Sequence, residues 1–273
     1  MRARFFKSAL PALALLASAG IAAPAQAAFV NTWAYTVTSS FSNVVDDGGT
    51  GTIVNEGDRI NWGPTTGDRS EIGAVNTPTA GLVNTNGPFE AADDYYHDNR
   101  VLPLGSRSLT STTLTIDITL TPTDPAGDPL APALTRSFDI NFFETPNAGS
   151  GGVCADGGAV GVGINGAGCA DIFTLEFDFG QFDFTYDGVD YSLFLFEDPT
   201  SAGFPQLDFL SDAACASVGL ASGCFGFLTP EDALTTAEFV ISVEAADVPE
   251  PAALGLFGLG LLGLGAMRRR LTA

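Results

Sequence analysis

The feature that most constrains the fold is a strict alternation of apolar and polar residues in several short segments. The segment LTIDITL (114–120) alternates Leu and Ile with Thr and Asp, and FDINF (138–142), FTLEFDF (173–179) and FVISV (239–243) repeat the pattern. A period of two places successive side chains on opposite faces of a strand. Gly, Pro, Asn and Asp fill the gaps, as is typical of turns. The sequence therefore predicts an all-β fold of roughly ten short strands in an antiparallel, jelly-roll-like β-sandwich.

One β-hairpin is predicted together with its register. The stretch QFDFTYDGVDYSLFLF (181–196) has Asp187 and Gly188 at its centre, the residue types that a two-residue type I′ turn prefers. This turn predicts three inward-facing pairs: Phe182 with Leu193, Phe184 with Tyr191, and Tyr186 with Val189. The opposite face is predicted to hold Asp183, Thr185, Asp190 and Ser192.

The first 27 residues have the three parts of a secretory signal peptide. Three basic residues precede an apolar core at 9–23, and an A-x-A site ends at Ala27. We therefore expect cleavage between Ala27 and Ala28 by signal peptidase, and an exported mature chain.

The mature chain is strongly acidic. The whole sequence carries a net charge of −21, and residues 28–247 contain 31 acidic residues, 5 arginines and no lysine. Such a surface repels nucleic acid and anionic lipid. It favours solubility, or the attraction of divalent cations.

Export allows the four cysteines to be interpreted as two disulfides. Of the three possible pairings, the local one closes short loops and is the one predicted: Cys154 with Cys169, and Cys215 with Cys224. The absence of a C-x-x-C motif and the presence of a single histidine argue against a zinc site.

That histidine, His97, lies in EAADDYYHDNRVLP (90–103), a polar segment predicted to lie between strands. His97 either packs at the surface or in a loop, or joins Asp94, Asp98 and Asn99 in a metal or ligand site. No G-x-S-x-G elbow is present, and the many acidic residues do not single out a carboxylate pair for glycoside cleavage. No catalytic residue is therefore assigned.

Calcium is the cofactor that the acidic composition leaves open, because Ca²⁺ prefers oxygen ligands. Two groups of candidates are Asp93, Asp94 and Asp98, and Asp46 with Asp47. Neither an EF-hand loop nor a glycine-aspartate nonapeptide repeat is present. No metal ligand is therefore assigned.

The carboxy-terminal segment has three parts. Pro249-Glu250-Pro251 is followed by 16 uncharged residues, 252–267, and then by Arg268, Arg269 and Arg270. As a helix, those residues would measure about 24 Å, against a hydrocarbon core of about 30 Å. Five glycines weaken such a helix, and the arginines favour the cytoplasmic side. The pattern favours a short hydrophobic helix that spans the membrane only transiently.

This segment resembles the PEP-CTERM sorting signal of Gram-negative bacteria, which is recognised by exosortase, a membrane-embedded transpeptidase-like protease. The resemblance implies processing near residues 249–251, loss of the apolar tail, and delivery to the cell surface or extracellular matrix. The protein would then be the substrate of an exosortase-type protease, with exopolysaccharide as a further candidate partner.

The body is similar to the THxN-type family of PEP-CTERM proteins. The similar stretches are RINWGPTTGDRSEI (59–72), YHDNRVLP (96–103), FDINFFETPN (138–147) and the predicted hairpin. The family's Thr-His-x-Asn motif falls on residues 96–99, where His97 and Asn99 are kept and Tyr96 replaces the threonine. The resemblance implies a shared fold and sorting route, and no activity.

Together these features predict a signal peptide (1–27), a single β-sandwich body (28–247) and a sorting signal (248–273). The predicted function is that of a non-enzymatic surface or matrix protein. The alternatives are a secreted carbohydrate- or calcium-binding module, and a hydrolase with an unrecognised site.

Overall fold

The computed structural model describes residues 29–175, 180–203 and 206–246. The predicted signal peptide with its cleavage site, and the predicted sorting signal, lie outside the described residues. So do Phe177 and Phe179 of the third alternating stretch.

The described residues contain sixteen strands, one short α-helix and one 3₁₀ turn. The strands are β1 (Thr32–Asp46), β2 (Thr52–Asn55), β3 (Arg59–Gly63), β4 (Ser70–Val75), β5 (Thr79–Asn84), β6 (Glu90–Ala91), β7 (Asp94–Asn99), β8 (Leu109–Asp124), β9 (Leu134–Phe143), β10 (Asp171–Leu175), β11 (Gln181–Tyr186), β12 (Val189–Glu197), β13 (Asp208–Phe209), β14 (Phe225–Thr229), β15 (Ala233–Ala237) and β16 (Phe239–Ala245). The helix is α1 (Asp212–Ser217), and the 3₁₀ turn spans Gly163–Asn165. The expectation of about ten strands was too low, because several strands are too short to show alternation.

The strands form three sheets. A seven-stranded sheet has the order β13-β14-β10-β9-β8-β1-β5, a four-stranded sheet the order β11-β12-β16-β6, and a five-stranded sheet the order β15-β7-β4-β3-β2. Neighbouring strands are antiparallel, for example in the long β1–β8 and β8–β9 pairs. The prediction of an all-β antiparallel fold is confirmed, whereas the sandwich arrangement stays a prediction.

The hairpin prediction is confirmed in register and in turn geometry. Strands β11 and β12 make the three expected inward-facing pairs. Asp187 and Gly188 have φ values of 47° and 79°, the left-handed conformations that a type I′ turn requires. On the inner face, the Trp33 ring makes edge contacts with Phe184, Tyr186 and Tyr191 at centroid distances of 5.6, 5.3 and 5.2 Å.

Both local disulfides are present. Cys154 is bonded to Cys169 and Cys215 to Cys224, as the sequence predicts. The Ser211 hydroxyl caps helix α1 by accepting a hydrogen bond from the Ala214 amide, and it donates one to the Asp156 carbonyl. The two cross-linked loops are therefore joined to each other.

The prediction that His97 lies in a polar segment between strands is wrong. His97 lies in β7, which pairs with β4 and β15, and its side chain is fully buried. So is the side chain of Asn99, two residues along on the same face. The strand was not recognised because its inward positions hold polar and aromatic residues in place of aliphatic ones.

Residues from all three sheets share one hydrophobic core, which includes Trp33, Trp62, Ile118, Phe173 and Leu193. In an antiparallel sheet, the end of one strand lies beside the start of its neighbour. The ends of β1, β9 and β14 and the starts of β8 and β10 therefore meet at one edge of the seven-stranded sheet. In the part of the chain that the structure describes, none of the helices is long and apolar enough to cross a bilayer.

Candidate functional site

The candidate site lies at this edge of the seven-stranded sheet, and its base is a row of aromatic rings. Phe142, Phe173 and Phe227 are register partners on β9, β10 and β14. Their ring centroids lie 4.4 Å apart for Phe142 and Phe173, and 4.7 Å apart for Phe173 and Phe227. The row forms an apolar surface beneath strand β7.

His97 packs against this row. Its ring centroid lies 4.7 Å from that of Phe173, and Trp62 stacks on the ring at 5.6 Å. Nδ1 of His97 and Oγ1 of Thr229 are 2.8 Å apart, whereas Nε2 is buried without a hydrogen-bond partner. Burial lowers the pKa of His97 to about 3, because the charged ring would lose its hydration. His97 is therefore a neutral core residue.

The next inward positions along β9 and β10 carry carboxyl groups. Glu144 follows Phe142 by two residues, and Asp171 precedes Phe173 by two residues. Glu144 accepts a hydrogen bond from Trp62 Nε1 at 3.1 Å, and Asp171 Oδ1 accepts one from the Thr145 amide at 2.8 Å. A third carboxyl group, that of Glu231, follows β14. We call Glu144, Asp171 and Glu231 the acid cluster.

Burial favours the protonated form of each carboxyl group in the acid cluster. Burial, together with the charges of Glu231 and Asp47, raises the pKa of Glu144 to about 8. Burial, with the charge of Glu144, holds the pKa of Asp171 well above its usual range. Burial also raises the pKa of Glu231 to about 7. A carboxyl group without a cationic partner is stabilised in its neutral form when water is removed.

Several buried oxygens around the cluster lack hydrogen-bond partners. They are Asn99 Oδ1, Asn147 Oδ1, Asp171 Oδ2 and both carboxyl oxygens of Glu231. Asn99 Nδ2 donates to the Thr229 carbonyl at 3.2 Å, which fixes the amide beside the cluster. Each protonated carboxyl group supplies one O–H donor, so protonation offers hydrogen bonds to acceptors that otherwise have none.

Gly168 allows Glu231 and Asn147 to approach the same point. A Cβ atom at position 168 would lie 3.1 Å from Glu231 Cγ and 3.4 Å from Asn147 Cβ, and the φ of Gly168 is 151°. Both side chains therefore pack over the glycine backbone, in the bend that precedes Cys169 and β10.

A cavity of about 430 Å³ opens beside Glu144. Its polar lining consists of Asp47, Ser106, Ser108, Glu144, Thr145 and Asn147. Its walls are the loop after β1, the loop before β8 and the loop after β9. The cavity and the acid cluster therefore share Glu144 as their common boundary.

The first two of these loops are tied together by hydrogen bonds. The Thr50 amide donates to the Gly105 carbonyl at 2.8 Å, and the Arg107 amide donates to the Thr50 carbonyl at 2.6 Å. The Arg107 guanidinium also contacts Asp46 at 3.3 Å. A Cβ atom at Gly49 would lie 2.5 Å from the Ser106 carbonyl oxygen, so the close approach of the loops requires glycine there.

The calcium candidates lie apart from this cluster, except Asp47, and their carboxylates bind protein donors. Asp93 accepts hydrogen bonds from the Ser39 hydroxyl and the Thr79 amide, and Asp94 accepts one from the Phe239 amide. Asp98 pairs with Arg100, Asp46 pairs with Arg107, and Asp47 accepts from the Gly49 and Ser108 amides. Within the described ranges, no group of three or more His, Cys, Asp or Glu residues is arranged to hold a metal ion.

The structure brings His97 and Asn99 to one site and separates them from Tyr96. The Tyr96 hydroxyl lies on the outer face of β7, packs over Gly73 and donates to Glu71. Sequence reasoning missed Glu144, Asp171 and Glu231. The signal for the first two was present, because extending the alternation of 138–142 and 173–179 by one step places both residues on the inner face.

Comparison with known proteins bears on the carboxy-terminal segment. Residues 247–270 match the PEP-CTERM protein-sorting motif. This match indicates export through an exosortase-type system, with sorting to the cell surface. No curated protein matches the chain.

Proposed function

We propose that the protein is a non-enzymatic component of the cell surface or extracellular matrix, processed at its carboxy terminus during export. The observation that carries the proposal is the position of the sorting motif. The motif begins at residue 247, and the last described strand, β16, ends at Ala245. The last described strand therefore ends two residues before the matched motif begins.

The disulfides support this destination. Four cysteines form two bonds within the described residues, and each bond closes a loop at the surface of the body. Disulfides persist in oxidising compartments, which an exported protein reaches. We further infer that the signal peptide ends at Ala27, and that the three sheets pack as a jelly-roll-like sandwich of the THxN type.

The processing step assigns a role to each part of the tail. The Pro249-Glu250-Pro251 sequence disfavours regular helix and strand, since proline cannot continue a helix or donate a ladder hydrogen bond, and this would suit recognition by a protease. The apolar residues 252–267 hold the segment in the membrane, and Arg268, Arg269 and Arg270 stop on the cytoplasmic side. Cleavage near Glu250 would release the body from the tail.

The experiment that tests this proposal is intact mass and terminal sequencing of the protein recovered from the producing cells. We expect a chain that begins at Ala28, carries both disulfides and lacks the apolar tail. Glu250→Gln and the removal of residues 248–273 should each abolish processing and surface delivery. Leu271→Ala, which lies outside the matched range, is the matched control and should behave like the parent protein.

Two results would contradict the proposal. Normal surface delivery of the protein without residues 248–273 would remove the sorting role. Hydrolytic activity that is lost in His97→Ala or Glu144→Gln, while the fold is retained, would show that the body is an enzyme.

A further inference from the structure

We propose that the cavity beside Glu144 binds a neutral sugar chain. This inference concerns the body and does not depend on how the protein is sorted. It rests on the size of the cavity, its polar groups, its apolar rim and the charge of the protein.

The cavity is large enough and is built on a fixed frame. Its volume of about 430 Å³ lies within the range of about 300–1,000 Å³ that is usual for small-molecule pockets. The hydrogen bonds between Thr50, Gly105 and Arg107 hold two of its walls together before any ligand arrives. A preformed wall reduces the entropy that binding would cost.

The polar groups of the cavity offer both donors and acceptors. The Asp47 carboxylate is an acceptor, and Asn147 Oδ1 is a buried acceptor that lacks a partner. The protonated carboxyl group of Glu144 and the hydroxyl of Ser106 are donors. A sugar hydroxyl both donates and accepts, so it matches such a mixed set better than a purely acidic or purely basic ligand does.

The remaining lining is apolar. It consists of Leu102, Pro103, Leu104, Pro146 and Ala148, with the backbone of Gly105. Leu104 is one of these lining residues and its side chain is 99% exposed, so it is open to a ligand in the cavity. An exposed apolar group beside convergent polar groups is typical of a binding site. The apolar lining can pack against the C–H face of a sugar ring.

Charge decides between neutral and ionic ligands. The strongly negative body repels anionic polysaccharides. The cavity is lined by two carboxyl groups, those of Asp47 and Glu144. Because the pKa of Glu144 is about 8, this residue carries a proton at neutral pH, and one of the two negative charges that would attract a cation is absent. No described group of three His, Cys, Asp or Glu residues is arranged for a metal ion. Among saccharides, a neutral chain is therefore favoured over an ionic one.

The proton on Glu144 gives the proposal a pH signature. The groups that act on Glu144 are Asp47 in the loop after β1, Asp171 on β10, Glu231 after β14, and Trp62, whose Nε1 donates a hydrogen bond to it. His97, which stacks on Trp62, is neutral. All the titratable carboxyl groups among them disfavour its ionisation. Binding should therefore weaken as the pH rises through about 8, when the donor becomes a second negative charge.

The experiment is calorimetric titration of the full chain in mild detergent with maltohexaose, cellohexaose, hexagalacturonate and calcium chloride. We expect a neutral oligosaccharide to bind at pH 6 at least about tenfold more tightly than hexagalacturonate. Leu104→Ser should weaken that binding without unfolding the protein, because the side chain is already exposed. Glu144→Gln should keep the binding and make it equal at pH 6 and pH 9, since an amide keeps a donor there.

Asp183→Asn, on the exposed face of the hairpin, is the matched control and should leave the binding unchanged. The proposal fails if neither neutral oligosaccharide binds at pH 6. It also fails if both Leu104→Ser and Glu144→Leu, shown to be folded by thermal unfolding, bind as the parent does. Tighter binding of calcium or hexagalacturonate at this cavity would assign it to another ligand class.

Discussion

Carboxyl groups from neighbouring chain segments lie close together both on the outer face of the β11–β12 hairpin and in the acid cluster. The first set includes a carboxyl group whose pKa is lowered, whereas the second contains only carboxyl groups whose pKa is raised. Asp183 and Asp190 of the hairpin, with Glu244 of the adjacent strand β16, line an open groove of about 440 Å³. Hydrogen bonds from Ser192 and Gln181 lower the pKa of Asp183. In the acid cluster, burial raises the pKa of every member.

The difference shows that hydrogen-bond donors and water, rather than the number of acidic residues, decide the charge of such a group. Asp183 Oδ1 accepts from Ser192 Oγ at 2.6 Å and from Gln181 Nε2 at 2.7 Å, and it remains in contact with solvent. Glu144 has one N–H donor, and its nearest charges are negative. The ionised form of Asp183 is therefore favoured on the hairpin, whereas burial favours the protonated forms in the acid cluster. The two regions should respond to pH in opposite directions.

The largest expected effect is that of Glu144→Gln on the pH dependence of stability. The folded-state pKa of about 8 exceeds the usual 4.5, so the stabilisation is complete below about pH 4.5 and is lost as the pH rises to about 8. At about 1.4 kcal/mol per pKa unit, that loss amounts to at most about 5 kcal/mol. Glutamine stays neutral, so the variant should be more stable than the parent at pH 8.5 and similar at pH 4.5. Chemical denaturation at both pH values measures this.

Asp183→Asn is the control for this prediction, and its effect on how the free energy of unfolding changes with pH should have the opposite sign. A lowered pKa gives stability that is present above the usual 3.8 and is lost as the pH falls. Because Asp183 is exposed, its substitution should change little, and only above about pH 4. If both substitutions shifted the unfolding curve in the same direction, the contrast between the two regions would be wrong.

A second, smaller effect is expected for Glu231→Gln. Burial raises the pKa of Glu231 to about 7, so its contribution is lost between about pH 4.5 and pH 7. The variant should be more stable than the parent at pH 8, by less than Glu144→Gln. Glu244→Gln is a matched control, since Glu244 is an exposed glutamate on β16 and makes the same change of side chain. Thermal unfolding of both variants at pH 5 and pH 8 distinguishes them, and equal responses would show that Glu231 is not desolvated.

The two regions also differ in how far the sequence predicts them. The hairpin follows from local information alone, since the Asp187-Gly188 turn fixes a register that the alternation of Phe182, Phe184 and Tyr186 repeats. The two disulfides likewise follow from loop length. In such segments, neighbouring residues determine the structure, so a single sequence suffices.

The acid cluster depends on residues that are far apart in the sequence. Glu144, Asp171 and Glu231 meet only because β9, β10 and β14 are adjacent in the sheet, and no local pattern specifies that order. His97 was misread for the same reason, because its partners Trp62, Phe173 and Thr229 come from other strands. A buried polar residue on a strand interrupts the alternation that identifies strands.

The smallest expected effect comes from removing a single hydrogen bond in each region. Thr229→Val removes the hydroxyl that pairs with His97 Nδ1 at 2.8 Å and leaves that nitrogen buried without a partner. We expect a loss of about 1–2 kcal/mol in the free energy of unfolding. Thr185→Val removes a bond of 2.6 Å to Asp190 on the exposed hairpin face, where water replaces the hydroxyl. Its expected cost is below about 0.5 kcal/mol.

Urea unfolding at pH 7 measures both threonine substitutions under one condition. The buried His97 ring is neutral at this pH, so the comparison isolates hydrogen bonding from charge. An additional drop in the Thr229→Val variant below pH 6.5 would indicate that the pKa of His97 had changed as well. Equal costs at the two positions would mean that water reaches Thr229, and the acid cluster beside it would then lose the desolvation that keeps its carboxyl groups protonated.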